Sequence, residues 1–501
     1  MSSTDIHFRT APDTREAPSL LRPRRFPVTA VLLLLLVGAA FLVRLWPVRQ
    51  VHFWDEAVYL QNAEVICCAK TNYSELDSRP PLLSLLFAIA FRIWHSAYAA
   101  GILTAALNSL GPLFLYLAGR RVVGKCGAAI AAMLLTFLPF FISGATGNSL
   151  LTDSPALTLV LVCFWMLLKS EDSETWFAGA GFAGAMAVLM RFASLPTIAV
   201  LSLLTLRGTR RIAAVLRFSI GLAAGLLPYL LWSRIRYGGF LTTLRHGWGN
   251  VAGSIEPASF YVQNFAQVFS WVAVAGLVLW LAISIFRRVN SSVYDRVFGA
   301  DAQPSRRGWA MFLWFWTLIV LAYFSAIPHK ELRYILPLAP PLLLLTGSGL
   351  AHLVRFQRLP AKVAGVVVLV LALGFTFAPD MGRFRDPLVS PFISEEKEVS
   401  DYLNSRAPQS AVLYTNFNSP VFGYYTRLTT RVLMAQGDAF YRQFPQAMPA
   451  DGYLVLYREL DKDPRMDWVE ANAHFRRAVE FPSLIVYEYR ARIEATPHGR
   501  F

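Results

Sequence analysis

Residues 28–46 read VTAVLLLLLVGAAFLVRLW, an apolar run that only Arg44 interrupts. A helix needs about 20 apolar residues to cross the ~30 Å hydrocarbon core of a bilayer. The run is longer than the apolar core of a signal peptide and has a weak cleavage site, so we expect a retained first membrane span. Residues 1–27 are mostly polar and rich in arginine, and we expect them to form a basic cytoplasmic tail.

The composition of the whole chain favours a membrane protein. Of its 501 residues, 55% are hydrophobic and 16% are charged. Soluble domains carry about 25% charged residues, so the composition argues against a purely soluble enzyme and excludes a disordered chain. The net charge of +15 predicts basic loops on the cytoplasmic face and no nucleic-acid partner. The four cysteines predict no disulfide framework, and the adjacent pair, Cys67 and Cys68, is poorly placed to bond to each other.

Charge-poor stretches recur after the first run, and we predict about eleven transmembrane helices in all. An odd number of spans places the two termini on opposite sides, and the basic loops then share the side of the N-terminus, which the positive-inside rule makes cytoplasmic. Residues 175–206 could form one long helix, but two spans keep the later basic loops on that side. The further stretches are 97–117, 126–143, 153–168, 175–190, 193–206, 212–232, 265–286, 309–327, 333–352 and 361–378.

The segments expected on the other side of the membrane are 47–96, 144–152, the single Arg191, 233–264, 328–333 and everything after Pro379. Residues 381–501 carry frequent charges and no spanning stretch, which predicts a small extracytoplasmic α/β domain. Its β-type runs are Ala411–Thr415, Tyr453–Tyr457 and Leu484–Tyr489, and its helix-like stretches are Glu395–Arg406 and Trp468–Arg477. The fold class that we predict is an α-helical polytopic membrane protein, residues 28–380, followed by this domain.

Two acidic residues open the first outer loop, in the sequence Trp54-Asp55-Glu56-Ala57-Val58-Tyr59. Adjacent carboxylates at the membrane surface lie where a lipid headgroup would be. A solvated loop in which Trp54 and Tyr59 are interfacial anchors explains the same pattern.

Further along this loop, Arg79 precedes two prolines and an amphipathic stretch, 82–95. The prolines fix the backbone, and a guanidinium group binds phosphate through paired, charge-assisted hydrogen bonds. An arginine that extends to the interface is the alternative. Asp153, at the outer start of the fourth span, is equally well explained as a helix cap.

A fourth cluster, His329-Lys330-Glu331-Leu332-Arg333-Tyr334, lies between the ninth and tenth spans. Four ionisable groups within five residues are unusual on this side, and interfacial anchoring explains only one or two of them. The sequence contains no metal-ligand spacing, nucleophile elbow, phosphate loop or dinucleotide fingerprint.

These four clusters, in this order, resemble the GT-C superfamily of polytopic glycosyltransferases that use polyprenyl-phosphate sugars, in particular the protein O-mannosyltransferase and aminoarabinose-transferase type. The resemblance implies that Asp55 is the catalytic acid/base. It also implies that Arg79 takes the place of the basic residue, often lysine, that contacts the lipid phosphate. Aminoarabinose-type members carry a glutamate just before that residue, whereas this chain has Ser78, so the donor sugar stays open.

The resemblance and the residues together predict a membrane glycosyltransferase that moves a sugar from a polyprenyl-phosphate donor to an acceptor lipid, glycan or protein, with inversion. We expect the chain to lie in a bacterial inner membrane. No cofactor is required, although the carboxylates could hold Mg²⁺ or Mn²⁺. The predicted catalytic residues are Asp55, Glu56 and Asp153, and the predicted substrate-binding residues are Arg79, Tyr59, His329, Lys330, Glu331, Arg333 and Tyr334. A polytopic transporter or lipid flippase is the alternative, but such proteins place ionisable groups near the bilayer midplane.

Overall fold

The computed structural model describes residues 28–45, 51, 54–70, 73–138, 141, 150–207, 210–249, 256–299, 307–389, 394–433, 438–444, 446–460 and 463–491. The predicted tail, residues 1–27, lies outside them. Helices dominate the first part of the described chain. They are α1 Val28–Leu45, α2 Trp54–Cys68, α3 Leu82–Ile93, α4 Ala97–Val122, α5 Gly124–Thr136, α6 Asp153–Lys169, α7 Trp176–Met190, α8 Leu195–Ser202, α9 Arg211–Tyr237, α10 Thr242–Gly249, α11 Phe260–Gln263, α12 Phe265–Val289, α13 Ser291–Phe298, α14 Arg307–Ala326, α15 Ala339–Leu350 and α16 Leu359–Val389.

Each predicted membrane stretch overlaps a helix of the structure. Within the described residues, six helical segments are long and apolar enough by themselves to cross a membrane, so the chain is an integral membrane protein. The predicted number of about eleven crossings is not confirmed. The six segments are Ala97–Val122, Arg211–Tyr237, Phe265–Val289, Gly308–Ala326, Leu332–Val354 and Leu359–Thr376.

The chain breaks between the two predicted spans of 175–206. Helix α7 ends at Met190, and Arg191 follows in extended backbone with φ −155° and ψ 114°. A 3₁₀ turn, Phe192–Ser194, then leads into α8. The stretch is therefore two helical segments and not one long helix, and an arginine lies at the break; whether each segment crosses the membrane stays a prediction.

Two glycines bring α7 and α9 into backbone contact. A Cβ atom on Gly181 would lie 2.0 Å from the carbonyl oxygen of Phe218, and one on Gly221 would lie 1.9 Å from that of Ala178. Small residues of this kind let membrane helices approach closely, where packing supplies the attraction that water cannot. The contact fixes the position of α7 and of the arginine that follows it.

The C-terminal part contains a five-stranded mixed sheet. Helices cover both of its faces, which confirms the predicted α/β character: α17 and α18 pack on one face, and α19 and α20 on the other. The strand order is β2-β1-β3-β5-β4, with β1 parallel to β2 and β3, and β5 antiparallel to β3 and β4. The elements are α17 Glu395–Arg406, β1 Val412–Thr415, α18 Ser419–Tyr425, β2 Thr429–Val432, α19 Asp438–Gln443, β3 Gly452–Tyr457, α20 Met466–Ala471, β4 Phe475–Glu480 and β5 Leu484–Tyr489.

Helix α18 joins the sheet to the loop that follows the first span. The Gln61 side chain, on α2, donates a hydrogen bond to the Pro420 carbonyl at 2.6 Å. The Val51 N–H donates to the Tyr425 hydroxyl at 2.9 Å. The ammonium group of Lys70 donates to the Tyr424 carbonyl at 3.2 Å. These contacts seat the sheet domain on α2.

Two sequence expectations are corrected. Cys67 and Cys68 form a disulfide, at the end of α2 where the next residue, Ala69, has a positive φ of 55° and the backbone leaves the helical conformation. The stretch Trp468–Arg477, expected to be helical, is helical only up to Ala471, because its last residues enter strand β4.

Candidate active site

The Asp55 carboxylate is held between two arginines that are distant in sequence. Its Oδ1 lies 3.0 Å from Nη2 of Arg79, and its Oδ2 lies 2.8 Å from Nη2 of Arg333. The Asp55 side chain is 19% exposed, so these are partly buried ion pairs. The structure thus brings together three of the residues that the sequence selected.

A second carboxylate joins the same network. Asp153 is almost fully buried, and its Oδ1 lies 3.0 Å from Nη1 of Arg191. Its Oδ2 lies 3.8 Å from Nη1 of Arg333. Arg333 therefore bridges Asp55 and Asp153, while Arg191 also donates to the Thr152 hydroxyl at 3.4 Å.

The secondary structure explains why these groups meet. Asp55 lies in the first turn of α2 and Asp153 begins α6, where the partial positive charge of a helix N-terminus favours a carboxylate. Arg79 precedes the two prolines that lead into α3. Arg333 lies in a 3₁₀ segment, Leu332–Leu338, that leads into α15. The site therefore forms where several helices begin.

A glutamate aims Arg79 at Asp55. Glu75 Oε2 lies 2.7 Å from Nε of Arg79, which leaves the terminal nitrogens of the guanidinium group for other partners. The indole N–H of Trp54 donates to Glu75 Oε1 at 3.0 Å, and the Tyr73 hydroxyl donates to the same oxygen. Two aromatic residues thus hold the carboxylate that orients the arginine.

Glu331 holds Arg333 in a similar way. Its Oε2 lies 2.5 Å from Nε of Arg333, and its Oε1 accepts a hydrogen bond from the Tyr334 hydroxyl at 3.1 Å. The His329 ring nitrogen lies 3.1 Å from the same Oε1. The Arg191 guanidinium stacks over the Tyr334 ring at 5.0 Å. This cluster therefore reaches the network through Arg333.

The pKa of Asp55 reflects two opposing influences. Burial would raise the pKa of the carboxyl group, but Arg79 and Arg333 outweigh burial and lower the pKa to about 2. Asp55 is therefore ionised at neutral pH. A carboxylate with so low a pKa is a weak proton acceptor as long as both arginines hold it.

Three predicted site residues make structural contacts. Glu56 is buried, and its Oε1 accepts a hydrogen bond from the Leu150 N–H at 2.9 Å, which ties α2 to the segment before α6. The Tyr59 side chain is buried beside Thr152. The ammonium group of Lys330 donates to the carbonyls of Glu256 at 2.8 Å and Ile327 at 2.7 Å.

A cavity of about 290 Å³ opens beside the network. Among the described residues that line it, Arg79 and Arg191 are the only charged ones, and we call it the arginine cavity. Its other walls are mostly apolar and aromatic, and they include Phe192, Leu195 and Phe324. The cavity therefore combines a cationic end with apolar sides.

Asp55 and Asp153 are both paired with guanidinium groups, which would compete with a divalent cation for their oxygens. Over the residues that the structure describes, no group of three or more histidine, cysteine, aspartate or glutamate side chains is arranged to hold a metal ion.

Comparison with known proteins shows which proteins this chain resembles. Residues 78–233 match the family model of dolichyl-phosphate-mannose-protein mannosyltransferases. This match covers α3, most of α9 and the helices between them, and so includes Arg79, Asp153 and Arg191. No curated protein sequence matches the chain significantly.

Solved structures extend the similarity of fold to most of the chain. ArnT from Cupriavidus metallidurans, bound to undecaprenyl phosphate, superposes with a TM-score of 0.65 at 13% identity, over 92% of this chain and 98% of that one. The oligosaccharyltransferase of Archaeoglobus fulgidus gives 0.58 at 12% identity, over 87% and 70%. The mycobacterial arabinofuranosyltransferase AftD gives 0.55 at 14% identity, over 91% and 41%. The fold is GT-C-like, and the resemblance inferred from the sequence motifs is confirmed.

Two residues of the network, Arg191 and Glu75, were not among the site residues that the sequence predicted. Arg191 is the only charged residue between 175 and 206, and a lone arginine in an apolar stretch is the signal that could have selected it. Glu75 lies four residues before Arg79, and its role depends on a turn that spacing alone does not specify. Both act on residues that the sequence had already identified.

The contacts of Lys330 allow a test of its role. The ammonium group of Lys330 joins two backbone carbonyls. Lys330→Gln should therefore lower the free energy of unfolding by about 1.5–3 kcal/mol, seen as a lower melting temperature, while donor affinity stays within twofold of the wild type. The measurements are a thermal melt in detergent and titration with a polyprenyl phosphate. Normal stability with a tenfold or greater loss of affinity would instead support the sequence prediction that Lys330 binds substrate.

Proposed function

We propose that the protein is a membrane glycosyltransferase that transfers a sugar from a polyprenyl-phosphate donor to an acceptor hydroxyl at the extracytoplasmic face. The arginine cavity is the observation that carries this proposal. A polyprenyl phosphate joins an apolar chain to an anionic group, and the cavity offers apolar walls and two guanidinium groups. Structures of the same fold include ArnT bound to undecaprenyl phosphate and AglB in complex with a dolichol-phosphate.

In the proposed reaction Arg79 and Arg191 bind the donor phosphate from the cavity side. Paired hydrogen bonds from guanidinium nitrogens to phosphate oxygens stabilise the charge that grows as the bond from the anomeric carbon to the phosphate oxygen breaks. Phosphate leaves as an anion without being protonated, so this half of the reaction needs no general acid. Arg333 reinforces the positive charge from the opposite side of Asp55.

Asp55 is the proposed general base. Its carboxylate takes the proton of the acceptor hydroxyl while the hydroxyl oxygen attacks the anomeric carbon from the face opposite the phosphate, which inverts the configuration. Glu56 fixes the first turn of α2 by holding the Leu150 backbone. Asp153 holds Arg191 and Arg333 in place through its two oxygens.

The arginines make the base dependent on the donor. While Arg79 and Arg333 hold Asp55, its pKa of about 2 makes it a poor proton acceptor. A phosphate that draws Arg79 away removes a positive neighbour and adds a negative one, and both changes raise the pKa of Asp55. Donor binding therefore activates the base at the time when the acceptor is to be deprotonated.

The proposed arrangement in the membrane follows the basic loops. The N-terminus is cytoplasmic, about eleven spans within residues 28–380 cross a bacterial inner membrane, and the loop 47–96 and the domain 381–501 are extracytoplasmic. Reporter fusions after Arg288 and after Pro379 should lie on opposite sides of the membrane. Fusions on the same side would contradict this arrangement.

Asp55→Asn tests the base. Because the amide that replaces the carboxylate cannot accept the proton, turnover should fall by about 10²–10⁴-fold. Donor affinity should stay constant or rise, since a neutral amide no longer competes with phosphate for the arginines. Transfer from a radiolabelled polyprenyl-phosphate sugar by purified protein measures the first effect, and donor titration measures the second.

Asp77→Asn is the matched control, because Asp77 is a half-exposed aspartate in the same loop and lies outside the network. It should keep near-normal turnover. If Asp55→Asn also turned over normally, Asp55 could not be the base. If Asp55→Asn lost donor binding instead, the residue would belong to the binding site.

Arg79→Ala tests the coupling between phosphate binding and the base. The loss of charged hydrogen bonds should weaken donor binding by about 10- to 100-fold. Because Arg79 lowers the pKa of Asp55, the pKa should rise in the variant, and the acid limb of the kcat/KM profile should move to higher pH. The measurement is transfer rate against pH.

Arg79→Lys should restore part of the affinity, since it keeps the charge and loses the planar fork of donors. Arg92→Ala removes an exposed arginine from the end of α3 and should change neither quantity. Donor affinity and a pH profile that are both unchanged in Arg79→Ala would place the phosphate elsewhere.

A further inference from the structure

A second cavity lies at the ends of α6 and α7 that are opposite the candidate active site. It has a volume of about 410 Å³ and is lined by Leu168 near the end of α6 and by Glu174 just before α7. Asp153 and Arg191 lie at the other ends of the same two helices. At a rise of 1.5 Å per residue, the length of α6 separates the two sites by about 24 Å. We call it the opposite-face cavity.

Its apolar walls come from five helical segments, through Leu168 of α6, Phe177 of α7, Leu204 of a 3₁₀ turn, Ala214 of α9 and Trp309 of α14. On either side of Ala214, α9 presents large apolar side chains to the surroundings, with Ile212 79% and Leu216 57% exposed. Such exposure on a membrane helix marks a surface that faces lipid. The cavity therefore lies next to the hydrocarbon region as well as the polar surface.

An arginine at this cavity has no carboxylate partner among the described residues. The Arg207 guanidinium stacks on the Trp309 ring at 4.0 Å, and both residues line the cavity. Stacking on an aromatic ring orients the guanidinium group and leaves its N–H donors in the guanidinium plane available to a ligand. Tryptophan and arginine at this depth are typical of the membrane interface.

The two carboxylates at the cavity differ in their ion-pair partners. Glu174 pairs with Arg210 at 3.3 Å and also with Arg217. Glu171 is exposed, lines the same cavity, and forms no ion pair within the described chain. One carboxylate cannot neutralise two guanidinium groups, so the cluster around Glu174 keeps a net positive charge. Beside it, the cavity offers a cation, Arg207, and an anion, Glu171.

We propose that the opposite-face cavity binds the headgroup of an amine-bearing phospholipid. Arg207 binds the phosphate, Glu171 binds the ammonium group, and the apolar walls contact the start of the acyl chains. A purely anionic headgroup meets the same arginine but faces the unneutralised Glu171, so the cavity favours the zwitterion. Basic pockets between membrane helices are known to hold lipid phosphates, and the added carboxylate supplies the selectivity.

The bound lipid would join the ends of α6 and α7 to α9 and α14. The opposite ends of α6 and α7 carry Asp153 and Arg191, so a lipid held here braces the helices that present the active-site network. This proposal does not depend on the reaction assigned to that network.

Native mass spectrometry of the purified, delipidated chain tests the proposal, with dioleoyl phosphatidylethanolamine and dioleoyl phosphatidylglycerol as probes. The wild type should retain one phosphatidylethanolamine at least fivefold more tightly than phosphatidylglycerol. Arg207→Ala should weaken that binding at least tenfold, and Glu171→Gln should bind the two lipids equally. Arg288→Ala, which removes an exposed arginine outside the cavity, should behave as the wild type.

Two results would overturn the proposal. One is wild-type retention of phosphatidylethanolamine by Arg207→Ala, and the other is equal affinity of the unmodified chain for both lipids. A further arm adds O-phosphoethanolamine, which carries the headgroup without acyl chains. Millimolar amounts should leave the lipid bound, whereas displacement at the affinity of the lipid itself would identify a soluble phosphate as the ligand and contradict a lipid site.

Discussion

The pairing of the Asp55 carboxylate with Arg79 and Arg333 is the interaction on which one end of the helical bundle depends. Arg333 also contacts Asp153, and Asp153 pairs with Arg191. One series of alternating charges therefore joins five segments that are distant in sequence. Removing one member of a buried ion pair leaves the other charge uncompensated, which is far more costly than losing an exposed pair. The network therefore fixes where α2, α6, α7 and α15 begin or end relative to one another.

The same network suits an anionic substrate, because arginines that already hold carboxylates can exchange one anion for another. Arg79 and Arg191 have one side toward the aspartates and the other toward the arginine cavity. A phosphate can thus enter without any new cation having to be recruited. The C-terminal domain contributes through α18, which packs on α2 directly beside this region.

The sequence alone predicted the helices and strands that bury one face or all of their side chains. The membrane helices appear as apolar runs, and the predicted β-type runs correspond to β1, β3 and β5, the three inner strands of the sheet. The two strands that were missed, β2 and β4, are the sheet edges. Edge strands expose half or more of their side chains, and β4 also has an irregularity between Arg477 and Val479, so their apolar alternation is weak.

The prediction of the site was correct where a sequence motif identified the residue, and incomplete where a contact depends on packing. Asp55, Arg79, Asp153 and Arg333 were identified through their motifs, and the structure brings all four together. Spacing could not predict the direction of a long side chain: the ammonium group of Lys330 turns to backbone carbonyls although its neighbour Arg333 joins the network. Arg191 was noted as a lone arginine but was not assigned to the site, because its partners, Asp153 and Tyr334, lie on other segments at positions that only tertiary packing determines.

A cryo-electron microscopy structure of the protein with undecaprenyl phosphate would show directly whether the arginines bind the donor phosphate. We expect phosphate oxygens at about 2.7–2.9 Å from guanidinium nitrogens of Arg79 and Arg191, with the contact between Asp55 and Arg79 broken. A phosphate bound away from both arginines, with Asp55 still held as in the free protein, would contradict this expectation.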